Sequence, residues 1–197
     1  NKSLKKYIRL RKKYLGLKQY HTYDRFLELA HSNKEYTYEE AKELFFHSIS
    51  QFPQDFQDKA HEVLRDGFVD VMEKVGKRTG AYSSSVANLH PFILLNFDNT
   101  LDSVFTVAHE AGHSIHSMYA TQTQPTMLQD YTIFVAEIAS TFNEHTLLDY
   151  FLSLPDATKE EKIMVIQKAI DEIMSTFYRQ TLFAEYEYLA NHEVAKG

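Results

Sequence analysis

Cysteine is absent from this 197-residue chain. That excludes a disulfide scaffold, so the fold has to rest on an apolar core, and it is compatible with a reducing, cytoplasmic setting. No run of 18 or more apolar residues is present to span a bilayer, and no secretory-signal pattern is visible, so no membrane partner is expected. Internal repeats and low-complexity segments are missing as well. Basic charge is in deficit, 21 Lys and Arg against 27 Asp and Glu for a net charge of −6, which argues against nucleic acid as a partner. The one strongly basic stretch, Lys2 to Lys18, reads as a helix with a solvated face. What the chain does have is 44% hydrophobic and 14% aromatic residues, spread along its length as core and wall material. The length suits one domain, or a large piece of one.

Helical patterns dominate. Lys2 to Tyr14 is amphipathic through Leu4, Tyr7 and Ile8, and Tyr23-Asp24 reads as irregular. Thr37-x-x-Glu40 is a capping box opening a helix that runs toward Pro53, and Thr158-x-x-Glu161 opens a long one to about Glu193. The apolar positions of the latter are Ile163, Ile166, Ile170, Ile173, Phe177 and Leu182. Gln54 to Arg65 and Val69 to Val75 read as two short helices broken near Gly67. Thr79 to Ser84 and Pro91 to Phe97 are the strand candidates, and Asp98-Asn99 turns into the next helix. Gln122 to Asp130 is a polar loop. The fold class expected is mainly α, with a small β hairpin or sheet ahead of the helix that starts near Leu101.

That helix carries the most informative stretch, His109-Glu110-Ala111-Gly112-His113. Histidines four positions apart lie on one helix face, one turn from each other, where both imidazoles can reach one metal ion. Glu110 lies about 100° round the helix from His109 and about 60° from His113. Its carboxylate therefore reaches the ion's open position rather than filling it, which is the arrangement for activating water. With 10 histidines in the chain, the motif would arise by chance in on the order of a few chains in a hundred. His61-Glu62 and His192-Glu193 begin the same way and do not complete it. Leu101 to Tyr119 is proline-free, with Asn99 or Thr100 as N-cap and Asp102 in the first turn. Val104, Val107, Ala108, Ala111 and Ile115 form its apolar side. Gly112 costs such a helix about 1 kcal/mol against alanine, which suggests the close approach of another backbone or a packing demand.

A catalytic zinc usually takes three protein ligands and leaves one position for water. His116 lies seven residues from His109, about 10 Å along the axis, too far for one ion to hold both. It reads as partly exposed or as a supporting histidine. A second helical pattern, Tyr131 to Glu144, has Ile133, Phe134, Ile138 and Phe142 as apolar positions and offers Glu137. A carboxylate in such a run needs a partner if buried. Glu144, seven residues on, faces a similar way. It could support a zinc-bound histidine or pair near the helix end with His145 or a distant lysine. Spacing alone does not choose between Glu137 and Glu144.

Phe134-Val-Ala-Glu-Ile-Ala-Ser-Thr-Phe-Asn-Glu144, downstream of Thr106-Val-Ala-His-Glu-Ala-Gly-His-Ser-Ile-His-Ser117, resembles the zinc oligopeptidases of the thimet-oligopeptidase superfamily, most of all the oligoendopeptidase F group. Lys2-Ser-Leu-Lys5, Arg11 to Leu17, Tyr36-Thr-Tyr-Glu-Glu-Ala41, Gly76 to Ser84 and His90 to Asn96 agree with that likeness, which covers nearly the whole chain. The resemblance implies a zincin-like helical catalytic domain holding one zinc ion on His109, His113 and Glu137, with Glu110 as catalytic general base. It also implies short peptides as substrates. Relative to that group, residues 1–197 read as one piece of the catalytic region, weakly active or inactive alone. They lack the N-terminal helical portion and a C-terminal segment rich in histidine and tyrosine.

An extended substrate needs a sheet edge for its backbone, and Phe92 to Phe97 is expected to offer it. Gly80, Ala81, Tyr82 and Asn96 are the substrate-binding candidates. A buried hairpin is the alternative. The activity expected is hydrolysis of internal peptide bonds. A zinc carboxypeptidase of similar helical build, or a non-catalytic helical module, are the alternatives. The same ligand set can also hold cobalt or manganese.

Overall fold

The computed structural model describes residues 2–31, 33–86 and 88–197. They are mainly helical with a small mixed sheet, and they group into two compact units. One unit is Asn1–Ser32 with Pro155–Gly197; the other is Asn33–Leu154.

In the first unit, helix α1 (Lys2–Tyr14) shows its lysines to solvent, but Arg11 departs from the expected solvated face. It is only 2% exposed. Its guanidinium donates to the carbonyls of Asp24, Arg25 and Leu27, around the 3-10 turn Thr22–Phe26, and lies 3.5 Å from Asp171. A buried guanidinium needs that many acceptors. Tyr7 donates to Asp171 at 2.5 Å, and burial together with this bond pushes its pKa up to about 12. Beyond the Thr158–Glu161 capping box the chain is helical as expected: α6 (Lys159–Glu172), a π-helical stretch Ile173–Arg179, and α7 (Gln180–Val194). The apolar stripe expected there is not the buried one. Glu161 and Val165 are buried, whereas Ile163, Ile166, Ile173, Phe177 and Leu182 are exposed.

The second unit holds α2 (Tyr38–Ser48), α3 (Gln54–Val63), β1 (Val69–Met72), β2 (Tyr82–Ser84), β3 (Phe92–Phe97), α4 (Leu101–Thr123) and α5 (Ile133–Ser153). Thr37 caps α2 with the reciprocal Glu40 bond that its sequence announces. Val69 to Val75 is a correction. Val69–Met72 is a strand, because its side chains alternate between half-buried and exposed with period two and the stretch between Gly67 and Gly76 is too brief for a stable helix.

The sheet order among the described residues is β1-β3-β2. β1 runs parallel to β3, with Val69 opposite Ile93, and β2 runs antiparallel, with Ser83 opposite Ile93. β3 is thus central and paired on both sides. It does not offer the free edge expected of it; the outer strands among the described residues are β1 and β2.

Alternation turns Ile93, Leu95 and Phe97 inward, where they are buried beneath α4. The α4 start is held by Asp98, whose Oδ1 accepts from Thr100 Oγ1 at 2.6 Å and Ser103 Oγ at 2.6 Å, while Thr100 caps the Ser103 N–H. Helix α4 packs against α5, α2, α3 and the sheet, so its apolar side and even Ser114 and Ser117 are buried. It continues to Thr123, so the polar loop expected from Gln122 to Asp130 runs instead from Gln124 to Thr132 and includes a 3-10 turn, Thr126–Leu128.

Helix α5 is buried on an unexpected face. Ser140, Asn143, Leu147 and Phe151 point inward, whereas Ile133, Phe134, Ile138 and Phe142 are exposed, Phe134 by 89%. Close packing explains the inversion. A Cβ on Gly112 would lie 2.7 Å from the Ser140 Cα and 2.9 Å from the Ala139 carbonyl oxygen. Only small residues let α4 and α5 touch backbone to backbone, and the amide of buried Asn143 is satisfied by the Ala108 carbonyl at 3.2 Å.

Candidate metal centre

The α4–α5 contact sets the site. His109 and His113 stand one turn apart on α4 beside Gly112, and Glu137 precedes Ser140 by one turn of α5. Facing Nε2 atoms of His109 and His113 are 3.1 Å apart. Glu137 Oε2 lies 3.3 Å from the first and 3.4 Å from the second. These three atoms form a nearly equilateral triangle. Four ligands at about 2.05 Å from a tetrahedral zinc are about 3.3 Å from each other, so the triangle already has the dimensions of one tetrahedral face. No other group of three or more His, Asp and Glu with metal-holding geometry occurs among the described residues. Two neutral imidazoles and one carboxylate are the donor set of a catalytic rather than a closed structural zinc site.

The remaining polar atoms support this use. His109 Nδ1 is 2.5 Å from Glu144 Oε1, so Glu144 takes the supporting place of the two open to it. The His113 ring donates to the Ala136 carbonyl. Both imidazoles thereby have one nitrogen tied down and the other directed at the triangle, the arrangement that fixes tautomer and ring orientation in metal-binding histidines. Ser140 Oγ donates to Glu137 Oε2 at 2.8 Å.

Charge is distributed unevenly among these side chains. Burial alone would lower the His109 pKa, but the Glu144 hydrogen bond and the nearby Glu110 and Glu137 outweigh it and raise the value. Burial and the charge on His109 lower that of His113. One proton is therefore held preferentially on His109, where an entering cation must displace it.

Glu110 is 5% exposed, and its Oε2 has no hydrogen-bond partner among the described residues. Burial pushes its carboxyl above the usual range. The His109 ring and a hydrogen bond from the Ser83 backbone N–H pull it back in part. A buried, incompletely satisfied carboxylate is costly, which makes Glu110 a candidate for a chemical role.

Of the other residues read from the sequence, His116 is outside the triangle and stacks on Tyr131, rings 3.8 Å apart. The amide nitrogen of Asn96 donates to the carbonyls of Arg78 and Gly80 at 2.9 and 2.8 Å, which orders the loop leading into β2. Gly80 and Ala81 precede β2, and Tyr82 begins it. Ser140 was discoverable, since it sits three residues from Glu137 on one helix. Ser83 and the Ala136 carbonyl were not, because no local pattern links β2 to α4 or selects one backbone oxygen.

Comparison with known proteins agrees with this geometry. Residues 1–196 match the model of peptidase family M3. Oligopeptidase PepF of Bacillus subtilis is 38% identical over 98% of this chain and 29% of its own length. The chromosomal oligoendopeptidase F of Lactococcus lactis subsp. cremoris is 37% identical, over 98% of this chain and 32% of its own length. The chain thus spans about a third of these relatives. Among solved structures, a Chlamydophila abortus protein superposes with a TM-score of 0.82 at 42% identity, covering 97% of this chain and 32% of that one. Oligoendopeptidase F of Enterococcus faecium gives 0.57 at 27% identity over 97% of this chain and 26% of its own. A match over nearly every residue, centred on a two-histidine, one-glutamate triangle, makes this chain a member of peptidase family M3.

Proposed function

We propose that this chain carries the zinc centre and general base of an endopeptidase that hydrolyses internal bonds of short peptides. The carrying observation is the 3.1–3.4 Å triangle of His109, His113 and Glu137 beside a buried carboxylate with an unpartnered oxygen. Those three residues would hold one zinc ion, whose contribution when bound is Lewis acidity toward a carbonyl oxygen and a water molecule. Glu144 and the Ala136 carbonyl hold the two imidazoles in place, each with its Nε2 directed at the triangle. Glu110 takes a proton from the attacking water and passes it to the leaving amine.

The peptide backbone would lie along β2. The Ile93 N–H bonds the Phe68 carbonyl on the β1 side, so the Ser83–Ile93 pair is the non-hydrogen-bonded kind and Ser83 turns its N–H and C=O outward. The same alternation gives Ala81 and Ser85 outward-facing groups for an added strand. Gly80 and Tyr82 flank this edge, and Asn96 acts on it through the loop it orders.

The test is Glu110→Gln in the full-length enzyme. Zinc content by atomic absorption stays stoichiometric, and cleavage of short peptides falls by a factor of at least about 10². Mass spectrometry of the wild-type products shows internal cuts. Wild-type turnover in the variant refutes the base assignment, and single-residue loss from the C-terminus points to a carboxypeptidase.

A further inference from the structure

Resting on that reading of the site, we infer that Ser83 and Ser114 are a positioning pair: a hydroxyl clasp that fixes the substrate edge β2 on the metal helix, so that a peptide paired to β2 meets Glu110 in register.

Ser83 Oγ and Ser114 Oγ are 2.8 Å apart. Ser114 is completely buried and lies one turn beyond Glu110, on the same side of α4. Ser83 sits opposite Ile93, whose side chain is buried against α4, so the Ser83 hydroxyl points at the helix while its backbone groups face the free edge. Its outward backbone N–H lies close enough to the Glu110 carboxylate to help hold down its pKa. Ser114 and Glu110 are one turn apart on α4, about 6 Å along the axis at about 1.5 Å per residue. The hydroxyl bond therefore sets the height of the strand on the helix, and with it the distance between the free edge at Ser83 and the Glu110 carboxylate.

The chemistry of position 114 points the same way. The other small residues buried on α4 are Ala108, Ala111, Gly112, Ser117 and Ala120. Alanine would suit helix formation at 114 at least as well as serine. A buried hydroxyl is useful there only for what it bonds, and its partner is the strand carrying the outward-facing peptide groups. Neither hydroxyl need touch the substrate. The pair acts through the strand and through Glu110.

The test uses the full-length enzyme with Ser83→Ala, Ser114→Ala, the double variant and Ser83→Thr. Loss of the hydroxyl bond lets the strand shift by a fraction of an ångström, and misplacement on that scale costs about 10-fold in kcat, given about 10² for a full ångström. We expect that fall in both single variants, with KM within about two-fold and zinc affinity unchanged. The double variant should be no worse than the singles, because both remove one bond. Ser83→Thr, which keeps the hydroxyl, should recover. In parallel, exchange of the sheet-bonded amides of Tyr82 and Ser84 should accelerate in Ser114→Ala. An unchanged kcat, an additive double variant, or a loss of zinc that accounts for the lost rate overturns the clasp. If the wild type cleaves no peptide, the endopeptidase reading fails instead, and exchange decides the clasp: wild-type protection of β2 in Ser114→Ala overturns it.

Discussion

Adding one methyl group to Gly112 should uncouple the metal site from the fold. The Gly112→Ala Cβ would stand 2.7 Å from the Ser140 Cα, 2.9 Å from the Ala139 oxygen and 3.0 Å from the Ala139 carbonyl carbon. Ordinary carbon contacts are about 3.5–4.0 Å, so α4 and α5 must separate by about 0.8–1 Å. All three clashing atoms are backbone, so no side-chain rotation relieves them. Ser140 is one turn from Glu137, and the shift moves Glu137 Oε2 away from the two Nε2 atoms, which now lie 3.3 and 3.4 Å from it. A ligand at about 2.1 Å from the ion does not survive a displacement of that size unless Glu137 changes rotamer. The expected loss of zinc affinity is about 10–100-fold, or about 1.4–2.7 kcal/mol. Stability moves less. Overpacking costs about 1–3 kcal/mol, and the gain in helix propensity returns about 1 kcal/mol. The metal-free protein should therefore lose about 0–2 kcal/mol. Chelator-competition titration and chemical denaturation measure the two effects separately. Wild-type zinc affinity, or a stabilisation near 1 kcal/mol with no loss of affinity, would show that the helix contact does not set the ligand geometry.

Glu144→Gln keeps an acceptor for His109 Nδ1 but removes its charge, and should weaken zinc about 10-fold or more; unchanged affinity by the same titration would refute the supporting role. Because the metal-free His109 pKa is raised above 6.5, proton competition in the wild type should begin to weaken zinc binding above pH 6.5 on acidification, and NMR titration of the His109 ring in Glu144→Gln should show the pKa falling. Asp98→Ala should destabilise the apo fold by about 0.5–1 kcal/mol without altering zinc stoichiometry, as expected of a largely solvated cap network. The Asp98 carboxyl is held below its usual range because hydrogen bonds from Ser103 and Thr100 outweigh the effect of burial. Its contribution is therefore present above the unfolded value near pH 3.8, and disappears as pH falls through the folded one. Thermal melts of both proteins at pH 7 and pH 3 check that convergence.

The parts of this site legible in the sequence are those written on single elements. The His-Glu-x-x-His spacing places two candidate ligands and the candidate base by helix geometry alone, and the cap at Thr100 and both capping boxes are local signals that formed as read. Gly112 announced a close backbone approach, though not by which backbone. Choosing Glu137 over Glu144 required either a family likeness or the helix crossing, because both carboxylates lie seven residues apart on nearly the same face of α5. Their roles differ only through which nitrogen of His109 each one meets. β1 was missed because a four-residue strand carries too little periodicity to separate strand from helix. β3 was taken for an edge because strand order is a long-range property: the parallel partner lies more than 20 residues upstream and joins without a hairpin.

The inverted face of α5 shows why hydrophobic periodicity misleads at a close helix crossing. Periodicity assumes that the apolar side of a helix seeks the core. At this crossing the governing demand is distance. Glu137 must come within about 3.4 Å of two imidazoles on α4, and large side chains between the helices would hold them 8–10 Å apart at the axes. The interface is consequently built from Gly112, Ser140 and the satisfied amide of Asn143, residues that a hydropathy reading assigns to the polar side. Ile138 and Phe142 are displaced to the flank of α5, where with Ile115, Tyr119 and Phe56 they line an apolar cavity of about 300 Å³. The polar, small-residue stripe of α5 is thus the side that makes the metal centre. A helix whose buried stripe is Ser and Asn beside an acidic residue is better read as facing a site than as facing solvent.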